Sequence, residues 1–210
     1  MEWLIQLPVL FFSIICHEYA HGYVAHKNGD DTAYLMGRLS FNPLPHIDFV
    51  GTIVVPFLCK LWGMPMFGWA KPVPVNPLRL HRMREGMTKV SLAGPLSNLL
   101  LAVLFAALFK LALLGGGQGL SQPLSIAMRY GVLINLMLAF FNLIPIAPLD
   151  GSKILSGLLP LHLAIKYESH ARYGMWILLA LMLTGAFKFL LLPPLYLALL
   201  LLSKIGLGVL

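Results

Sequence analysis

The feature that most constrains this chain is a series of long apolar blocks set one after another along 210 residues. They run from about Trp3 to Val24, Val90 to Leu114, Ile126 to Ile144, Met175 to Leu192 and Leu195 to Leu207, the last two parted by Pro193-Pro194. About twenty helical residues cross the hydrocarbon of a bilayer, so the length leaves room for about four to six such helices. Charged residues make up only 11% of the chain, against about 25% in water-soluble domains. Mean hydropathy is +0.82. A soluble globular domain, a disordered chain and a collagen-like one are excluded. The fold class is an all-α polytopic membrane protein with about five to six transmembrane helices, forming a single integral-membrane domain over 1–210.

Between the blocks the pattern changes. Residues 26–46 are polar, and the alternation through Gly37–Phe41, closed by Asn42-Pro43, predicts a short strand and turn. A shorter apolar block, about Ile47 to Trp62, contains Asp48, Gly51 and Pro56 and is either a thin span or a re-entrant segment. In Trp69-Ala70-Lys71-Pro72-Val73-Pro74-Val75-Asn76-Pro77 the alternate prolines forbid a helix, and an extended segment is expected.

Charge orients the chain. Placing the 63–89 loop, the 151–172 loop and the carboxyl tail on one side collects Lys60, Lys71, Arg79, Arg82, Arg84, Lys89, Lys153, Lys166, Arg172 and Lys204. Lys27, Arg38, Lys110, Arg129 and Lys188 remain, so the first side is expected to be cytoplasmic in a cell membrane. A re-entrant second block would add Lys27 and Arg38 to that side and put the amino terminus outside. The basic residues form no stripe with interleaved aromatics, so the expected partner is anionic lipid and not nucleic acid. Cys16 and Cys59 lie in apolar stretches and read as packing residues. Met1-Glu2-Trp3 offers no signal-peptide n-region, so the first block is expected to be retained.

The first block contains His17-Glu18-Tyr19-Ala20-His21. On a helix, positions i and i+4 lie one above the other, so both imidazoles can address one point. This is the two-histidine clamp of a zinc hydrolase, with Glu18 beside it to take a proton from water. Two imidazoles and a carboxylate in a lipid-spanning helix cost on the order of several kcal/mol unless paired or hydrated. A catalytic zinc takes three protein ligands and keeps one position open. Of eight acidic residues, Glu2, Asp30, Asp31, Glu85 and Glu168 have solvent positions, while Asp48 and Asp150 stand at block edges. Asp150 follows Pro145 and Pro148, which unwind the end of a span, and broken helices at membrane depth line cavities. Asp150 is the expected third ligand of one Zn2+ per chain.

Together with Asn142-x-x-Pro145-x-x-Pro148-Leu149-Asp150-Gly151, the His17-Glu18-x-x-His21 motif resembles the site-2 protease family of intramembrane zinc metalloproteases. The phrases Phe41-Asn42-Pro43-Leu44-Pro45-His46-Ile47-Asp48, Gly68 to Pro77 and Ala93-Gly94-Pro95-Leu96-Ser97-Asn98 are similar to its compact prokaryotic branch, without a PDZ domain. The resemblance covers about residues 10–155. It implies a three-helix catalytic core (about 3–155, with further helices over 172–208), ligands His17, His21 and Asp150, and Glu18 as general base. It also implies a membrane-spanning protein substrate, with Asn142 helping to hold it; the alternative for Asn142 is an amide bonded to a neighbouring helix. A regulator of access would be a separate membrane protein or the terminal helices, and a homo-oligomer is left open.

A substrate helix must first unwind, and the extended stretches near Gly37–Phe41 and Val73–Asn76 offer strand edges to receive it. His46 and Asp48 read either as a supporting pair or auxiliary metal site, or as interfacial residues. Asn98 reads as a hydrogen bond across a close helix contact set by Gly94-Pro95. His26 reads as a helix-end residue, and His81, His162 and His170 as solvated ones. The rival function is an ion or metal transporter or channel whose path is lined by these His, Glu and Asp residues. One broken helix and no internal repeat weigh against it.

Overall fold

The computed structural model describes residues 3–54, 57–58, 61, 70–114 and 122–208. Its helices are α1 (Trp3–Lys27), a single turn α2 (Thr32–Leu35), α3 (Met83–Leu114), α4 (Gln122–Asn142), α5 (Asp150–Leu158), α6 (Leu161–Ser169), α7 (Gly174–Leu183) and α8 (Phe187–Lys204). No strand occurs among the described residues. Where the sequence predicts a strand at 37–41, turns and bends are found, and Arg38 within it is buried with its guanidinium on the Lys71 and Pro72 carbonyls. The second apolar block contributes a π-type turn at Phe49–Val54; most of the rest of it lies outside the described residues.

Among the described residues four helices, α1, α3, α4 and α8, are long and apolar enough to cross a membrane, with mean hydropathies of 1.2, 2.2, 1.7 and 1.6 in their best windows. The protein is a multi-pass membrane protein. α3, with 32 residues, is about 48 Å long and exceeds the ~30 Å hydrocarbon. Its first turns, bearing Arg84, Glu85 and Lys89, are the part with the composition to project. α7 has ten residues, about 15 Å, too short to span alone. The last two blocks divide at Gly185 and not at Pro193-Pro194. Gly185 adopts φ +69°, which ends α7 as a left-handed residue does. Both prolines lie inside α8, as prolines can in a transmembrane helix when neighbouring groups or local helix adjustment satisfy the freed carbonyls.

Burial runs opposite to that of a water-soluble protein. Leu100, Leu111, Phe189 and Leu183 are exposed, while Ser13, His17, His21, Asn98, Asn135 and Asp150 are buried. Lipid accepts the first set, and the second must find partners inside. α3 packs along α1, α4 and α5. Ala102, Ala106 and Phe109 of α3 meet Val132 and Leu136 of α4 and Leu202 of α8 in the main apolar cluster. Small residues at that contact let the helix backbones approach.

Side-chain pairing fixes the helix directions. His17 reaches Asn98 and His21 reaches Val90, so α1 and α3 run antiparallel. Asn135 meets Ser13 while Asn142, two turns on, reaches the same cavity as His17 and His21, so α4 runs with α1. The chain leaves α1 and enters α3 at one end of the bundle, where the His81 N–H donates to the Asn28 carbonyl at 2.9 Å.

Candidate metal centre

His17 and His21 lie on the inner face of α1, one turn apart as their spacing predicts. Asp150 is delivered from the other side: α4 stops at Asn142, the proline-containing turn 143–149 reverses the chain, and Asp150 opens α5. Gly151 is required behind it, since a Cβ there would collide with the Leu143 and Ile144 carbonyls. Three atoms converge: His17 Nε2 and His21 Nε2 are 3.0 Å apart, and each lies 3.1 Å from Asp150 Oδ2. All three side chains are buried, and among the described residues they form a group that could hold a metal ion.

The donor chemistry fits a cation. The Nδ1 of His21 faces the Val90 carbonyl at 2.7 Å, and a carbonyl only accepts, so Nδ1 carries the hydrogen and Nε2 a lone pair. The Nδ1 of His17 faces Asn98 Oδ1 at 2.6 Å, the same arrangement with an amide oxygen. Lone pairs from two imidazoles and a carboxylate thus point at one another, the set that a tetrahedral ion with ~2.0–2.1 Å bonds, and hence ligands ~3.3 Å apart, would satisfy. Gly94 of α3 makes room: a Cβ on it would lie 2.5 Å from Nε2 of both histidines.

A cavity of about 360 Å3 opens beside the three ligands and is lined also by Glu18, Asn142, Ser91 and Val73. The Glu18 carboxylate accepts the Val73 N–H at 2.7 Å, so the stretch 71–75 lies across the site. Arg38 holds that stretch through the Lys71 and Pro72 carbonyls, at 2.8 and 3.1 Å, and the Lys71 N–H donates to the His46 carbonyl at 2.9 Å. On the edge expected at 73–76, two of the three backbone N–H donors are taken. Val73 donates to Glu18, Asn76 donates to Asp30 at 2.6 Å, and Pro74 has no N–H.

The structure thus brings together His17, His21, Asp150, Glu18, Asn142 and Asn98. Asn142 also donates back to the Leu138 carbonyl within its own helix, at 3.0 Å. His46 and Asp48 stay apart from this group. His46 bonds the Ser40 carbonyl at 3.0 Å, and Asp48 accepts the Gly51 N–H at 2.7 Å, so both shape the loop after α2. His26 is a helix-end residue paired with Asp31 at 2.5 Å.

The sequence reading missed Ser13, Arg38, Ser91 and Asn135, all buried. Ser13 precedes His17 by one helical turn, and Asn135 is a polar residue inside a span; both features signal an inward-facing side chain. The loop at the same end of the bundle has its own buried carboxylate. Burial alone would raise the pKa of Asp30, but bonds from the Thr32 hydroxyl, the Asn76 and Thr32 N–H groups, and the Arg79 charge hold it below the ordinary carboxylate value.

Comparison with known proteins agrees with this geometry. The chain is 39% identical over 204 residues to the protein named "Putative zinc metalloprotease YwhC" of Bacillus subtilis, covering 93% of this chain and 86% of that one. It is 33% identical over 157 residues to "Putative zinc metalloprotease MJ0611" of Methanocaldococcus jannaschii, covering 74% and 71%. It is also 27% identical over 158 residues to "Zinc metalloprotease MJ0392" of the same archaeon, covering 75% of this chain and 35% of that longer protein. No solved structure matches the chain significantly. Residues 117–185 match peptidase family M50. With that family match and a 39% identical zinc metalloprotease relative aligned over 93% of the chain, the chain belongs to peptidase family M50, the site-2 protease family.

Proposed function

We propose that this chain is a zinc-dependent endopeptidase that cuts the helices of other membrane proteins within or near the bilayer. The observation that carries the reading is the convergence of His17 Nε2, His21 Nε2 and Asp150 Oδ2 to within 3.1 Å of one another beside a cavity that Glu18 also lines. These three residues would hold one Zn2+, with Glu18 as general base and Asn142 as a contact for the substrate backbone. Bound there, zinc supplies Lewis-acid chemistry, polarising a carbonyl and acidifying water.

The chain's own residues do the rest. Glu18 takes the proton of the attacking water and returns it to the leaving amine, the double duty of a positioned carboxylate. Its bond from the Val73 N–H fixes one carboxylate oxygen and leaves the other for that transfer. Asn142 presents its amide to an unwound substrate segment, whose freed backbone groups need partners away from water. Val73, Val75 and Met87 wall the cavity with apolar surface.

The 210 residues act as one domain, with the core over about 3–155 and the helices over 172–208 as additions. The bundle end that holds Lys27, Arg38, Arg79 and Arg84 is assigned to the cytoplasmic face of the cell membrane by its positive charge. Lipid and a membrane-spanning substrate are the partners, with a separate regulatory protein or a second copy of the chain to control access. The test is Glu18→Gln, assayed on a membrane-spanning substrate alongside zinc content. Cleavage should fall by about 10²-fold or more while zinc is retained; undiminished cleavage with zinc bound would contradict the reading.

A further inference from the structure

Behind His17 a line of buried polar groups crosses three helices, and every hydrogen in it can be assigned because the line ends on backbone carbonyls. The Ser13 hydroxyl donates to the Val9 carbonyl at 2.8 Å, so its oxygen is left to accept. The amide of Asn135 donates one hydrogen to the Gly131 carbonyl and the other to Ser13 Oγ, both at 2.8 Å. A carbonyl cannot donate, so this amide has one orientation, with Oδ1 turned toward α3. There it accepts from Asn98 Nδ2 at 2.8 Å, and the second hydrogen of Asn98 goes to the Ser13 carbonyl at 3.3 Å. Asn98 Oδ1 is then left to face Nδ1 of His17 at 2.6 Å. An amide oxygen accepts, so His17 must carry its hydrogen on Nδ1.

We propose that Asn135 and Ser13 are positioning residues that fix the tautomer of His17. They lock the Asn98 amide with its oxygen toward the ring and so keep the Nε2 lone pair directed at the metal centre. This rests on the metal-centre reading above and adds to it two residues that touch no ligand atom. Without Asn135, only the longer 3.3 Å bond to the Ser13 carbonyl would orient Asn98; rotated end for end, it would offer an N–H to Nδ1, draw the ring hydrogen to Nε2 and close the site to a cation. Asn135 and Ser13 are 0% exposed, so their bonds are made without solvent in the folded protein. The line also joins α1, α3 and α4, so the packing of the bundle and the readiness of the ligand depend on the same bonds.

The test is Zn2+ affinity of the purified full chain, measured by competition with a chromogenic chelator. Wild type, His21→Ala, Asn135→Leu, Asn135→Ala and the double variant Asn98→Asp with Asn135→Leu are compared. Asn135→Leu and Asn135→Ala should each weaken zinc by about tenfold or more, the lower end of the 10–100-fold cost of losing a ligand's outer partner. The double variant should restore affinity to within about threefold of wild type, because a carboxylate has no end that donates and cannot present the wrong face to Nδ1. Measuring both single variants keeps the test usable if the bulk of Leu prevents folding. Affinity unchanged in the folded single variants would overturn the proposal while leaving the metal centre intact. A loss that the double variant does not recover would also overturn it, showing a packing defect in place of a tautomer effect. Zinc bound no better by wild type than by His21→Ala would overturn the metal centre and this inference together.

Discussion

The Glu18 carboxylate accepts the Val73 backbone N–H at 2.7 Å, tying α1 to a proline-rich segment 55 residues away. Val73 stands between Pro72 and Pro74, so the backbone there is already held extended. Val73→Pro would remove the donor with little change of shape. Cleavage should fall by about tenfold as Glu18 loses its anchor, with zinc content and melting temperature near wild type. Unaltered cleavage by a folded, zinc-loaded variant would show that Glu18 needs no such tether. The magnitude follows from a single charge-assisted hydrogen bond of about 1.5–3 kcal/mol, of which only part is lost in the reacting state.

Gly94→Ala is expected to act on the metal directly. Its Cβ would stand 2.5 Å from Nε2 of both histidines, where no atom can stay. α3 must withdraw or the rings must turn, at a cost of about 1–3 kcal/mol in stability. Zinc stoichiometry measured on the variant should drop well below that of wild type, and full zinc occupancy would contradict the close approach.

Asn142→Leu separates substrate contact from metal binding. Asn142 lines the cavity but holds only its own helix, through the Leu138 carbonyl. Zinc content should stay at the wild-type level while cleavage falls by about ten- to hundredfold, as expected when one positioned donor is lost. Wild-type cleavage would leave Asn142 a purely structural residue.

Asp30 sets an acid limit on stability. Its folded pKa is depressed below the unfolded value, so it contributes stability above an unfolded pKa of about 3.9 and loses it as pH falls through the folded pKa. Asp30→Asn should therefore melt earlier than wild type at pH 7, with the difference shrinking as pH falls below about 4. Melting curves in detergent across that range check it, and a difference independent of pH would assign the effect to shape and not to charge.

The group of three residues that could hold a metal ion was legible because each part carries its own local signal. His17 and His21 lie one turn apart on a single helix, and Asp150 follows two prolines that unwind the end of a span. Asn98 could be read as an inward-facing amide, though not that it faces His17. Ser13 and Asn135 were missed because each is a lone polar residue in an apolar block, and their meaning arises only when three helices bring them within 2.8 Å. The strand at 37–41 failed for a similar reason. Arg38 turns inward to the Lys71 and Pro72 carbonyls, a tertiary contact that the local sequence pattern does not reveal. Pro193-Pro194 misled as well, since proline ends helices in water more reliably than in a bilayer.

The most direct test is the zinc content of purified wild type and His21→Ala, measured side by side by elemental mass spectrometry after zinc loading and removal of free metal. The account expects about one zinc per wild-type chain and its loss from the variant, since two remaining ligands no longer close a site. Equal zinc in the two proteins, or none in folded wild type, would contradict the metal centre and return His17, Glu18, His21 and Asp150 to the reading of an ion path.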